Sequence, residues 1–278
     1  MELPTYIYNQ MTSEDKQIVS NDFKHPVVIR DFYNPKSRTI GFEKFIKLFG
    51  NTRLPVEIYS TNNTSTTDAD TTKMSMPKLN QHWKKDKSPS IYCAEVDLLD
   101  RDILDDNRYN ILKTLENPNL KSRKVESLLL YLGNNHASGL HLHVNSDFIL
   151  NQLYGSKTVY IFDNYANPNI HKNSFFQMEK SNFAKEDFFN MDHSKMKIYK
   201  VTLQSGDSLL IPPWCWHATQ GHGVNTSITQ TFDRKDISYL VKNPNLILDY
   251  FIEDYRATFP FLLTILILFL YMRIRARR

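Results

Sequence analysis

Between residues 127 and 232 the chain is a succession of short β-rich runs with no helical period between them, and this constrains its fold more than any other feature. The runs lie at 127–132, 140–144, 158–162, 198–203, 208–211 and 226–232, separated by Gly, Asn, Asp and Pro. Many short strands with regular turn signals predict a β-sandwich or a small barrel. Upstream, Val27, Val28 and Ile29 centre a strand at 25–32, and 54–59 reads as another. Phe42, Phe45, Ile46 and Phe49 recur at i, i+3, i+4 and i+7, which predicts a short amphipathic helix ended by Gly50. Residues 60–76 are Thr-, Asn- and Asp-rich and are expected to form a surface loop, and 79–120 to form helices and connectors. A further helix is expected at 237–255.

A hydrophobic fraction of 41% is enough to fill a core and argues against global disorder. The formal charge is +4, but the last six residues contain four arginines, so the folded part is neutral and nothing in the charge indicates nucleic acid. Cys93 and Cys215 form neither a metal spacing nor a disulfide framework, which suits a reducing compartment. The N-terminus has no basic start and no apolar run, so no signal peptide is expected.

The segment 259–272, FPFLLTILILFLYM, is uncharged on every side and stops directly in the arginines. As a helix it would rise about 21 Å, short of the roughly 20 residues that span a hydrocarbon core. Arginines that snorkel to headgroups extend the effective length. A single-pass C-terminal membrane anchor is therefore expected, with the main domain cytosolic. A buried C-terminal helix is the competing reading.

Two segments carry candidate chemistry. The first is Ser138-Gly139-Leu140-His141-Leu142-His143, followed by Asp147, Gln152, Gly155 and Lys157; the second runs from Gly206 and Asp207 through Pro212 and Trp214-Cys215-Trp216 to His217. His141 and His143 are two apart, so on a strand both rings point to one face. In a small barrel that face is the interior, and His217 begins another run that antiparallel pairing can bring alongside. Three converging imidazoles make a site for Fe, Zn, Cu or Ni. Taken alone, the pair is also compatible with two satisfied core or surface histidines. Trp214 and Trp216 read as barrel-packing aromatics, Cys215 as a small buried filler, and His136 and His222 as loop residues near the barrel mouth.

The second segment resembles the Gly…Pro…His motif of cupins and, more closely, its JmjC form, in which Asp follows the Gly and tryptophans precede the His. The first resembles the JmjC block through His141, Gln152, Gly155, Lys157 and Phe162. Upstream, His25-Pro26-Val27-Val28-Ile29-Arg30 and Tyr92-Cys93-Ala94-Glu95 resemble earlier landmarks, so the likeness covers about residues 25 to 235. It implies a mainly β fold, a double-stranded β-helix (cupin or jelly-roll barrel) at 127–235. Strands and helices at 1–126 would support it, with a helical segment at 236–258 and the hydrophobic helix after it.

The resemblance also implies a mechanism: an Fe(II)- and 2-oxoglutarate-dependent oxygenase, with a protein side chain or a small molecule as substrate. His141 and His217 match metal ligands. Lys157 matches the partner of the distal carboxylate of 2-oxoglutarate, Ser138 a hydroxyl that assists it, and Thr231 lies near a polar position of the last strand. The family's second ligand is a carboxylate, and this chain has His143 there. Three neutral imidazoles leave the ion its full +2 charge. Asp147 is a further candidate oxygen ligand. Two other readings follow from the departure: a three-histidine cupin dioxygenase acting on a small molecule without 2-oxoglutarate, and a non-catalytic JmjC-like binding module.

Overall fold

The computed structural model describes residues 2–17, 25–33, 42–59, 70–85, 90–99, 124–143, 146–162, 170–171, 182–194 and 196–233. The expected helix at 237–255 and the apolar run at 259–272 lie outside them. Among the described residues no helix is long and apolar enough to cross a membrane.

The protein is mainly β. Its strands are β1 (Thr5–Ile7), β2 (Val27–Arg30), β3 (Arg53–Tyr59), β4 (Asp70–Ser75), β5 (Ser90–Asp97), β6 (Val125–Asn134), β7 (Ala137–His141), β8 (Ser146–Phe162), β9 (Ile198–Leu203), β10 (Ser208–Ile211) and β11 (His217–Asp233). Among the described residues all eleven strands are connected, in the order β1-β2-β10-β8-β11-β6-β5-β3-β4, with β7 also on β11 and β9 also on β8. The two long strands make this possible. One half of β8 pairs with β10 and the other with β9; one half of β11 pairs with β6 and the other with β7. The strands of the N-terminal third are part of the same sheet, since β2 pairs with β10 and β5 with β6.

The expected helix is present as Phe42–Phe49, and Gly50 closes it at φ 50°, its N–H donating to the Ile46 carbonyl at 2.9 Å. Its Phe42, Phe45 and Phe49 pack with Leu79 and Trp83 of a second helix, Met76–Lys84, and with Leu128, Leu130 and Leu132 of β6. Phe45 is fully buried; replacing such a ring by Ala costs about 3–5 kcal/mol.

Two expectations need correction. The polar stretch 60–76 is not loop throughout: Asp70–Ser75 is a strand and Met76 starts a helix. β4 is held by main-chain pairing to β3 rather than by burial, and most of its side chains are exposed, so no apolar pattern announces it. Within 79–120, residues Ser90–Asp97 form a strand. Its pairing with β6 slips between Cys93 and Val96, and Ile91, Tyr92 and Cys93 are all buried, which erases the period of two.

Candidate metal centre

β7 and the start of β11 are antiparallel neighbours with His141 directly opposite His217. That register places the two rings 4.2 Å apart, centroid to centroid, and His143 follows just beyond β7 at 5.2 Å from His141 and 5.0 Å from His217. One ligand atom from each of the three lies within 4.8 Å of the others. The protein thus brings together a three-histidine cluster of metal-binding geometry.

Local hydrogen bonds prepare two of the rings. His141 Nδ1 meets the Gly139 carbonyl at 2.8 Å, and His217 Nδ1 meets the Cys215 carbonyl at 2.9 Å. A carbonyl only accepts, so each Nδ1 carries the proton and each Nε2 keeps a free lone pair for an ion. His143 is fixed differently, by stacking on Phe148 at 3.5 Å. Burial pushes all three pKa values down, and for His143 and His217 the neighbouring imidazoles push further. Neutral rings are the state that ligates a metal.

The cluster opens into a cavity of about 510 Å³, lined among others by Ser138, His141, His143, Phe148, Leu150, Lys157, His217 and Thr219. Gly155 explains how β8 supplies Lys157. The cavity-facing residues of its first half, Phe148 and Leu150, are even-numbered, whereas Lys157 is odd-numbered. The change of face occurs around Gly155, at φ 68°, where the pairing with β11 slips. A Cβ at Gly155 would stand 2.5 Å from the Val224 carbonyl oxygen, so a side chain is excluded there.

Lys157 is 4% exposed. Its ammonium donates to Ser227 Oγ at 2.7 Å and lies 5.7 Å from the centre of the Tyr131 ring. Among the described residues it has no carboxylate partner, and burial pushes its pKa down to about 7. An ammonium in this position has a strong electrostatic need for an anion. Ser138 also lines the cavity; its Oγ lies 2.8 Å from Thr219 Oγ1 and accepts the Thr219 N–H at 3.2 Å.

The remaining candidates lie elsewhere. Asp147 is on the opposite face of β8 from Phe148, fully buried, and the structure does not bring it to the histidines. Thr231 Oγ1 lies 2.6 Å from Ser127 Oγ, away from the cavity lining; the β11 hydroxyl that meets Lys157 is Ser227, four residues earlier. Its place was legible as one of the alternating polar positions Ser227, Thr229 and Thr231. Trp214, Cys215 and Trp216 are buried, as expected. His136 is 4% exposed rather than solvated, stacked on Tyr92 at 3.7 Å, and His222 Nε2 lies 2.7 Å from Thr158 Oγ1. Asp207 is structural: it receives Arg30 and the Gln204 N–H, tying the turn before β10 to β2.

Sequence reasoning did not place a second wall of the cavity, formed by Glu57, Tyr59, Thr71, Tyr92, Ala94, Glu95 and Tyr131. Glu57 and Tyr59 alternate with Val56 and Ile58 in β3, a polar pair on one face of a strand, which was the available signal.

A family model described as cupin-like domain matches residues 12–238. Comparison with curated proteins found no match.

Proposed function

The chain belongs to the cupin-like domain family, and from that premise we propose that it is an Fe(II)- and 2-oxoglutarate-dependent oxygenase that hydroxylates a protein side chain, its strands wound as the family's double-stranded β-helix. One observation carries the reading: three neutral imidazoles and a buried, carboxylate-free Lys157 face the same cavity. The donor set fits a divalent transition metal, since two Nε2 lone pairs are fixed by backbone carbonyls and the third ring is held by stacking. When bound, Fe(II) with 2-oxoglutarate supplies the oxygen activation that C–H hydroxylation needs. The chain's own residues do the positioning. His141, His143 and His217 hold the ion. Lys157 takes up a proton and pairs with the far carboxylate, while Ser138 and Thr219 offer hydroxyls in the same cavity. Phe148, Leu150 and Ile211 form an apolar lining that weakens competition from water.

The test is metal analysis of the purified full chain with 2-oxoglutarate consumption measured on the same sample. One equivalent of bound metal and slow 2-oxoglutarate turnover without added substrate are expected. A second reading is favoured by the all-histidine cluster: a cupin dioxygenase that acts on a small molecule without 2-oxoglutarate. Metal-loaded protein that neither binds nor consumes 2-oxoglutarate would decide for it.

The tail at 259–272 is proposed to anchor the protein to a membrane, with the folded domain on the cytosolic side; its uncharged run, and arginines able to snorkel to the headgroups, support the anchoring. Deleting 259–278 should move the protein into the soluble fraction with its metal content unchanged. A deletion variant that loses the metal would show that the segment belongs to the fold.

A further inference from the structure

The row of residues that holds the metal site does not end at β7. Residues 182–184 are not among the eleven strands, yet they pair with β7 on the side away from β11. The Leu142 N–H donates to the Asn182 carbonyl at 3.0 Å, and the Ala184 N–H to the Leu140 carbonyl at 2.9 Å. These two bonds flank an antiparallel bridge in which Phe183 stands opposite His141. A pair flanked in this way is the close one of an antiparallel ladder, with Cα atoms about 4.5 Å apart and both side chains on one face. Across the other edge of β7, His141 is opposite His217, which is in turn opposite Ile161 of β8. Ile161, His217, His141 and Phe183 are therefore consecutive in one row.

The row fixes where the Phe183 ring points. His141 faces the cavity, so its cross-strand partner does too, and both line it. The phenyl ring lies 5.3 Å from the His141 imidazole, centroid to centroid, at an interplanar angle of 31°. His141 thus has two imidazole neighbours that share the ion with it, His217 and His143, and one phenyl neighbour that offers no ligand atom.

Phe183 is neither a core residue nor a support for its histidine. Phe45, Phe49 and Phe188 are at most 1% exposed, whereas Phe183 is half-buried, as a ring at a cavity mouth is. Phe148 stacks on His143 at 3.5 Å and holds a ring that no carbonyl fixes among the described residues. His141 needs no such help, because the Gly139 carbonyl already sets its tautomer and orientation. The backbone of Phe183 is itself held from both sides. Beyond the bridge to β7, the Lys185 N–H donates to the His171 carbonyl at 2.8 Å, the His171 N–H donates to the Glu186 carboxylate at 3.1 Å, and the His171 ring meets the same carboxylate. A ring carried on a backbone paired along both edges cannot swing aside without breaking those bonds.

We propose that Phe183 is a specificity-determining residue, whose ring limits the groups that reach the ion beside His141 to slender ones and excludes branched or ring-bearing ones. Forcing a bulky group into space that a fixed ring already fills costs more than the contacts it gains. This role rests on the metal centre and is independent of 2-oxoglutarate turnover.

The test is titration of the cobalt-loaded full chain with two metal-binding probes, azide and 4-phenylimidazole, followed by the visible absorption of the ion. The parent is compared with Phe183→Ala, Phe183→Leu and Phe183→Trp. Azide affinity should be the same in all four. 4-Phenylimidazole should bind Phe183→Ala roughly tenfold or more tightly than the parent, the effect of about 1.4 kcal/mol. Phe183→Leu should fall between them, and Phe183→Trp should bind this probe more weakly than the parent. Damage to the segment would shift both probes together, so the dependence on probe size separates access from structure. Cobalt content, measured on every sample, reports that the histidines still hold the ion. Unchanged 4-phenylimidazole affinity in Phe183→Ala at full cobalt content would overturn the proposal, as would an equal gain for azide. A parent protein that binds no cobalt would overturn the metal centre itself, and the access role with it.

Discussion

The two walls of the cavity are built by different means. The metal wall comes from β7, β8 and β11, with β11 pairing directly with each of the other two, so its residues are set by strand register: His141 opposite His217, and Lys157 brought round by one slip at Gly155. The acidic wall comes from β3, β4 and β5, nearer the sheet edge, and depends on a bulge that carries Glu95 out of phase. The first wall is neutral imidazole and one ammonium, and the second is carboxylate and phenol. The difference teaches that one cavity can be specified twice over, once by close-packed ladder geometry and once by an irregularity imposed on a strand near the edge.

The largest effect is expected at the histidines. His217→Ala removes a ligand whose tautomer is already fixed, and metal affinity should fall by at least about a hundredfold, more than loss of a supporting hydrogen bond costs. Atomic absorption on dialysed protein checks this. Glu95→Gln, on the other wall, should leave metal content unchanged.

Lys157→Met comes next. Removing one partner of a buried charge pair costs roughly 2–5 kcal/mol, so 2-oxoglutarate affinity should drop about a hundredfold with the metal retained. Unaltered affinity in a calorimetric titration would detach Lys157 from the far carboxylate.

Gly155→Ala tests whether the slip in β8 is what turns Lys157 inward. The left-handed backbone and the close Val224 carbonyl leave no room for a methyl group, and a loss of about 2 kcal/mol in unfolding free energy is expected from denaturant titration.

Lys157 also sets a pH dependence. Lys157 titrates at about 7 in the fold, below its ordinary 10.5. Between those values the unfolded chain holds more protons, so stability without ligand should rise as pH increases from 7 towards 10, and Lys157→Met should flatten that rise. Affinity for 2-oxoglutarate should move the other way, weakening by up to about tenfold per pH unit above 7 as the ammonium is lost.

The metal wall was largely legible in the sequence because its residues sit in two short segments with period-two spacing. His141 and His143 share a face in any strand, and Gly155 and Lys157 follow within a turn's reach. Asp147 could not be placed from spacing, because the slip at Gly155 reverses which face of β8 looks inward and only pairing reveals it. Ser227 was passed over for Thr231 for a related reason: the alternation of polar residues on β11 fixes a face but not a depth. The acidic wall was hidden by its own irregularity. Ile91, Tyr92 and Cys93 are consecutively buried and Glu95 has left the ladder, so β5 carries no alternation, and β4 has almost no apolar residues to show.

The central claim is that three histidines hold one divalent ion facing Lys157. X-ray absorption on the zinc-loaded full chain tests it most directly. One equivalent of zinc is expected, with three imidazole nitrogens at about 2.0–2.1 Å, the rest of the shell being light oxygen donors, and no sulfur. A spectrum with fewer than three imidazoles, or with a sulfur ligand from Cys215, would contradict it.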